Sequence, residues 1–256
     1  MTTTSQTAET SLAHIAPRYP KREDCFFYHS LDLPLEQTTG IWDLRAQPSA
    51  YLGDVAFKDL SVLEIGPASG FLSFWMEGQG ARVTALEPSM AHLWDIVPFE
   101  GFDTQTWRTS FSASIEQVRN SFWYAHQALG SNVRMIEADP YAIPELAGQF
   151  DVGVLASVLL HCRRPFDLIQ SVAKRVGKTM VITELYNPSL GPEAVCLFQP
   201  HLGVEQVDTW WQFSPQFFVS ALGLLGFAKA KVIFHTQEQP GEKRSVSMFT
   251  VVCERA

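Results

Sequence analysis

Residues Ser61–Leu72, which read Ser-Val-Leu-Glu-Ile-Gly-Pro-Ala-Ser-Gly-Phe-Leu, constrain this chain more than any other stretch. Val62, Leu63 and Ile65 form a short apolar run suited to a parallel strand buried on both faces. Gly66 and Gly70 then let the backbone turn sharply and lie close to a ligand. A helix opening after Gly70 would offer its free N–H groups to an anion. The segment therefore predicts a strand, a tight turn and a helix, one unit of an α/β sheet with a ligand at the strand's carboxyl end.

The spacing narrows the ligand. A dinucleotide-binding turn carries glycines at its first, third and sixth positions, whereas Gly66 and Gly70 are four apart and Glu64 stands two residues before the first. An acid there suits an ammonium group or a ribose better than a pyrophosphate. Arg82-Val83-Thr84-Ala85-Leu86-Glu87 is a second apolar strand ending in an acid, 23 residues after Glu64. Side by side, the two strands would bring both acids to one edge, where Glu87 can accept both hydroxyls of a ribose.

On these residues the chain resembles the class I S-adenosylmethionine (SAM) methyltransferases, whose first motif is an acid, one residue, then Gly-x-Gly-x-Gly or a relaxed form of it. Here Ala68 replaces the middle glycine. The resemblance implies a Rossmann-like α/β fold with a seven-strand, mostly parallel sheet, helices on both faces and a C-terminal antiparallel hairpin. It also implies SAM as cofactor, bound at Glu64, Gly66, Ala68, Gly70 and Glu87. Asp139 falls where the family places an acid or amide on the adenine, with Tyr141 and Ile143 as walls of that ring, and Ser157 falls where the family faces the sulfonium.

The run Ser157-Val158-Leu159-Leu160-His161-Cys162-Arg163-Arg164-Pro165, with Trp42-Asp43-Leu44-Arg45 before the first motif, resembles the branch of the tRNA wobble-uridine carboxymethyltransferases and their uncharacterised relatives. In that branch a tryptophan matching Trp42 lies at the cofactor, and a tyrosine before the histidine helps hold the extra carboxylate of carboxy-SAM. This chain has Leu160 there, which points to ordinary SAM.

Alternation of strand and helix from Ser61 onward supports the same architecture. Strands are expected at about 61–65, 82–86, 133–137, 151–156 and 179–184. Two more, at 228–234 and 246–253, are joined through the turn residues Gln239-Pro240-Gly241-Glu242. A helix over 112–129 places Ile115, Val118, Phe122, Ala125 and Leu129 on one face, expected to be core. It follows a loop rich in aromatics (Trp94, Phe99, Phe102, Trp107). Another helix starts with Ser214 as cap and Pro215 at its first position and stops at Gly226. Residues 1–20 are polar and aperiodic and are expected to be a flexible tail. Residues 21–256 are expected to form one methyltransferase domain. Its lead segment, 21–59, is aromatic, and its long 185–213 connection lies above a strand's carboxyl end, where loops often act as lids.

Composition limits the partners. The chain of 256 residues is 46% hydrophobic and carries a net charge of −8, enough apolar content for a core and the wrong sign for nonspecific attraction to a nucleic acid. Cys25, Cys162, Cys196 and Cys253 are too scattered for a zinc site or a disulfide framework, which suggests reduced thiols in a cytoplasmic protein and no metal. No apolar run approaches the roughly 20 residues that span a bilayer, and no signal peptide is visible.

Three readings of function follow. In the leading one, a methyl group passes to oxygen or nitrogen of a small-molecule acceptor held under residues 185–213 by Tyr186, His201, Trp210 and Trp211. Glu184, at the fifth strand's carboxyl end, would orient the acceptor, and His161 is a second candidate for its chemistry, though its place at a helix start better suits a capping or packing histidine. The second reading is a tRNA wobble-uridine modifying enzyme, and the third a non-catalytic SAM-binding module.

Overall fold

The computed structural model describes residues 12–91, 95–203 and 206–255. Its strands are Ala13–Ile15 (β1), Leu31–Asp32 (β2), Gln37–Thr38 (β3), Ser61–Ile65 (β4), Arg82–Glu87 (β5), Arg134–Glu137 (β6), Phe150–Ala156 (β7), Val176–Leu185 (β8), Cys196–Phe198 (β9), Trp211–Phe213 (β10), Lys229–Gln239 (β11) and Arg244–Glu254 (β12). Its helices are Pro48–Tyr51 (α1), Phe71–Gly78 (α2), Thr104–Leu129 (α3), Pro165–Ala173 (α4) and Pro215–Leu224 (α5).

Period-two alternation along the central strands sends side chains to two cores. Val62, Val83 and Val152 pack on one face with Leu72 and Met76 of α2 and Phe122 and Trp123 of α3. Leu63, Ile65 and Leu155 pack on the other with Ile169 and Val172 of α4 and Phe218 and Leu222 of α5. Both faces of the sheet are thus covered by helices, which is why these strands read as nearly continuous apolar runs.

The main sheet has eight strands in the order β1-β6-β5-β4-β7-β8-β12-β11. Pairing from β6 through β8 is parallel, and β12 joins β8 antiparallel before the hairpin to β11. The seven expected strands are all present, with β11 and β12 turning through Pro240–Glu242. The eighth is β1, whose Ala13, His14 and Ile15 pair antiparallel with Glu137, Ile136 and Met135. It lies within the segment expected as a loose tail, and the unpaired edge of β6 explains why it is ordered. Residues 1–11 lie outside the described residues.

Helix α3 begins eight residues before the expected start, because Asp103 caps it: its carboxylate accepts the Thr106 N–H at 3.0 Å. Trp107 is therefore helical and stacks on Phe111, with ring centroids 4.4 Å apart, while Trp94 lies outside the described residues. Helix α5 starts as expected, with Ser214 capping the Phe217 N–H at 3.3 Å.

Because β4 is flanked by β5 on one side and β7 on the other, the chain leaves the carboxyl ends of β4 and β7 in opposite directions. The crevice between them is where open α/β sheets bind ligands.

Candidate active site

A cavity of about 390 Å³ opens at this crevice. Its floor is the turn after β4, where Gly66, Ala68 and Gly70 all take positive φ, at +69°, +49° and +87°. Gly66 and Ala68 line the cavity, whereas Gly70, expected at the cofactor, is not in its wall and N-caps α2 with no side-chain cap. Glu64 lines the cavity at 1% exposure and accepts the hydroxyl of Ser73. Burial raises its pKa to about 7, against the opposing bond from Ser73.

Glu87 lines the same cavity, and its pKa is raised by burial while the Arg119 guanidinium opposes the rise. Arg119 reaches Glu87 from α3 at 3.4 Å and also bonds the Pro88 carbonyl. Its Nε is buried without a partner. Phe111, Ser114, Ile115, Val118 and Arg119 all line the cavity, and that spacing of three and four is a single helix face. Ile115 and Val118, expected as core, thus belong to the cavity wall, while Phe122 and Ala125 are core. Arg119 is a site residue that the sequence reading missed; its signal was a lone guanidinium on an apolar stripe.

The roof comes from the lead segment. Phe26, Tyr28, His29, Ile41, Trp42, Leu44 and Tyr51 line it, so Trp42, expected at the cofactor, is in the cavity wall. The Ser69 hydroxyl, inside the glycine turn, accepts the Tyr28 N–H at 2.6 Å and ties roof to floor. Ser157, after β7, also lines the cavity. It holds φ at +53°, a conformation that costs a non-glycine residue about 1–2 kcal/mol, and its Oγ lies 3.1 Å from the Tyr51 hydroxyl.

The expected acceptor residues divide. His161 lines the cavity, its Nδ1 is bonded to the Asp208 carbonyl, and burial lowers its pKa. Glu184 does not line it. That carboxylate is 2% exposed, and its Oε1 accepts the N–H groups of Leu159 and Leu160 at 3.0 and 3.3 Å, so it anchors the turn that carries His161. Trp210 and Trp211 brace the same turn from outside. The Trp210 N–H donates to the Leu160 carbonyl at 2.8 Å, and the Trp211 indole N–H donates to the Cys162 carbonyl at 2.8 Å. Tyr186 packs against Phe234 and Phe249, and His201 is exposed beside the Gln199 carbonyl. None of these four residues is in the cavity wall.

Asp139 is exposed, and its carboxylate accepts the Tyr141 N–H at 2.9 Å, capping a single turn outside the cavity wall. Tyr141 does line the cavity, its hydroxyl donating to Asp95, whereas Ile143 is core. The Leu160 side chain packs in the core on the α4 face of the sheet. Among the described residues, no cluster of three or more His, Cys, Asp or Glu is arranged to hold a metal ion, and no helix is long and apolar enough to cross a membrane.

The chain matches no protein-family model and no curated protein. Solved structures do resemble it. The N-terminal domain of EvdMO1, solved in the presence of SAH and D-fucose, matches with a TM-score of 0.52 at 20% identity, over 92% of this chain and 94% of that one. Magnesium protoporphyrin IX methyltransferase (ChlM) from Synechocystis PCC 6803, with bound SAH, matches at 0.53 and 14% identity, over 83% of this chain and 82% of that one. The 1,6-didemethyltoxoflavin-N1-methyltransferase of Burkholderia thailandensis, with bound 1,6-didemethyltoxoflavin and S-adenosylhomocysteine, matches at 0.51 and 14% identity, over 83% and 78% of the two chains. The chain has the methyltransferase fold.

Proposed function

We propose that this chain is a SAM-dependent methyltransferase acting on oxygen or nitrogen of a small-molecule acceptor, with residues 21–256 as one catalytic domain. One observation carries the reading. One cavity is walled on one side by Gly66, Ala68, Glu64 and Glu87, and on the other by the lead-segment aromatics and His161.

The donor set fits SAM or its demethylated product. Glu64 suits the amino group and Glu87 the ribose hydroxyls. Gly66 takes a φ of +69°, and a Cβ there would come within 3.3 Å of the Val158 side chain, so a side chain at this position is strained. When bound, the cofactor supplies a methyl group already activated as a sulfonium. The protein's own task is to align the acceptor and exclude water, which can lower a barrier by about 7–11 kcal/mol. Tyr28, Tyr51 and His161 are the polar side chains placed to orient an acceptor, and Glu184 acts through the His161 turn as a positioning residue.

Calorimetry with S-adenosylhomocysteine tests the reading. Binding by the wild-type protein, with at least a tenfold loss in Gly66→Val and Glu87→Ala, is the expected result. A folded wild-type protein that binds neither SAM nor its product would overturn it. A labelled-methyl screen against metabolites and bulk tRNA then separates small-molecule acceptors from RNA.

A further inference from the structure

We propose that Arg119 is a positioning residue for the cofactor: from α3 it holds the Glu87 carboxylate where that group can accept the ribose hydroxyls of SAM. The inference rests on the methyltransferase reading above and adds to it a residue outside both strand-end motifs.

The contact is made by one nitrogen. Nη2 of Arg119 reaches Oε2 of Glu87 and also the carbonyl of Pro88, the next residue, so a single group ties the carboxylate to the backbone at the end of β5. The rest of the carboxylate stays open. An arginine and a carboxylate that serve only each other commonly pair through two parallel bonds, whereas here there is one contact, at 3.4 Å. Oε1 of Glu87 has no hydrogen-bond partner among the described residues and is not sealed from solvent. Since Glu87 and Arg119 both line the cavity, that oxygen is available to a ligand there.

Burial argues against a purely structural pair. The side chains of Arg119 and Glu87 are 7% and 13% exposed, and the guanidinium sits on the same helix face as Ile115 and Val118. Well-packed apolar residues often replace such a pair at no loss of stability. The arginine is also poorly served as a structural group, because its Nε is buried without a partner. Charge gives it a second effect on Glu87. Glu64 from β4 and Glu137 from β6 are the like charges beside this carboxylate, and Arg119 from α3 opposes them. Hydroxyls donate more strongly to an ionised carboxylate than to its neutral acid, so the guanidinium favours both the placement and the charge that ribose binding needs.

Calorimetry on the full chain tests this with S-adenosylhomocysteine and its 2′,3′-dideoxy analogue. The wild-type protein should prefer the parent ligand by at least tenfold, about 1.4 kcal/mol. In Arg119→Met, which keeps an apolar stem and removes the charge, that preference should fall below threefold while affinity for the dideoxy analogue changes by less than threefold. Arg119→Lys retains the charge and should regain part of the preference. Glu87→Ala should lose it too, and adding Arg119→Met to Glu87→Ala should change the ratio by less than twofold, because the arginine acts through the carboxylate. Arg119→Gln replaces Arg119→Met if the latter does not fold. A preference that survives in Arg119→Met, an equal loss of affinity for both ligands, or a further drop in the double variant would each overturn the proposal. Wild-type binding of S-adenosylhomocysteine with no ribose preference would overturn it as well, leaving the methyltransferase reading intact. Failure of the wild-type protein to bind S-adenosylhomocysteine would instead overturn that reading.

Discussion

Glu64 and Glu184 sit alike in the sheet, each at or near the carboxyl end of a central strand, and burial pushes both toward the neutral form, with pKa values of about 7 and about 8. Their surroundings differ. After β4 the glycine turn folds away, so Glu64 has one hydroxyl partner, Ser73, and a face on the cavity. After β7 the chain turns back over the end of β8, and Glu184 takes up two backbone N–H groups of that turn. A strand-end acid thus faces the cavity only where the next loop does not fold back onto it. One carboxylate belongs to the cavity wall, the other to the frame that holds His161.

The largest effect should come from the backbone on the Glu64 side. A Cβ on Gly70 would lie 2.4 Å from Phe74 Cε2 and 2.7 Å from Phe122 Cδ2, at a φ of +87° that side chains rarely adopt. Gly70→Val is expected to abolish measurable S-adenosylhomocysteine binding and to destabilise the fold by about 2–5 kcal/mol, combining overpacking with left-handed strain. Calorimetry and urea denaturation check both. Affinity retained within threefold would mean that the turn does not hold the cofactor.

The Glu184 side should respond through stability first. Glu184→Ala leaves the Leu159 and Leu160 N–H groups buried without an acceptor, at about 1–3 kcal/mol for each unmet group. Glu184→Gln keeps a carbonyl for them and should be clearly more stable than Glu184→Ala near neutral pH. Their pH dependence sharpens the contrast. The folded pKa, about 8, lies above the unfolded carboxyl value of about 4.3, so the folded state holds the proton longer. This group's contribution is therefore most favourable below the unfolded pKa and declines as pH rises to about 8. Denaturation curves between pH 5 and 9 should show a steeper decline in wild type than in Glu184→Gln. Parallel curves would mean that Glu184 is ionised throughout.

The wall proposed for the cofactor was more legible in the sequence than the wall proposed for the acceptor, because its geometry is local. Glu64, Gly66 and Ala68 lie within five residues, and Glu87 ends the neighbouring strand, so short spacing brings these four to one cavity wall. The acceptor half is assembled from segments far apart in the chain. Tyr28 meets Ser69, and Trp210 reaches the Asp95 carbonyl across 115 positions. Helical periodicity marked Ile115 and Val118 as facing inward but could not tell a cavity wall from a core. Aromatic content alone likewise did not distinguish Trp42, which lines the cavity, from Trp211, which braces a turn. His29 passed as one member of an aromatic run, since only the fold reveals that it lines the cavity.

Proton linkage at Glu64 tests the ligand-facing carboxylate directly. With a pKa of about 7 in the free protein, Glu64 is mostly protonated at pH 6 and mostly ionised at pH 8. A bound ammonium favours the ionised form, so binding at pH 6 should release up to one proton and tighten as pH rises toward 7. The effect reaches about tenfold per pH unit well below the pKa. Calorimetry in buffers of different ionisation enthalpy measures that release. Glu64→Gln should lose it and bind more weakly at pH 8, and proton release persisting in the variant would move the linkage to another group.

The smallest effect is expected at Asp139, where the resemblance and the geometry part. The resemblance placed this acid on the adenine, yet its carboxylate is turned to the Tyr141 N–H and lies outside the cavity wall. Tyr141 itself is held in the wall by its hydroxyl bond to Asp95 and by the Arg164 guanidinium, 4.4 Å from its ring centroid. Loss of the exposed cap should therefore leave the ring in place. Asp139→Ala is expected to cost about 0.5–1.5 kcal/mol of stability, one ordinary hydrogen bond, and to change S-adenosylhomocysteine affinity by less than threefold. Asp139→Asn, which retains the turn's acceptor, should recover the stability. A tenfold affinity loss in both variants would show that Asp139 swings to the adenine once the ligand is bound, and would return it to the cofactor half of the comparison.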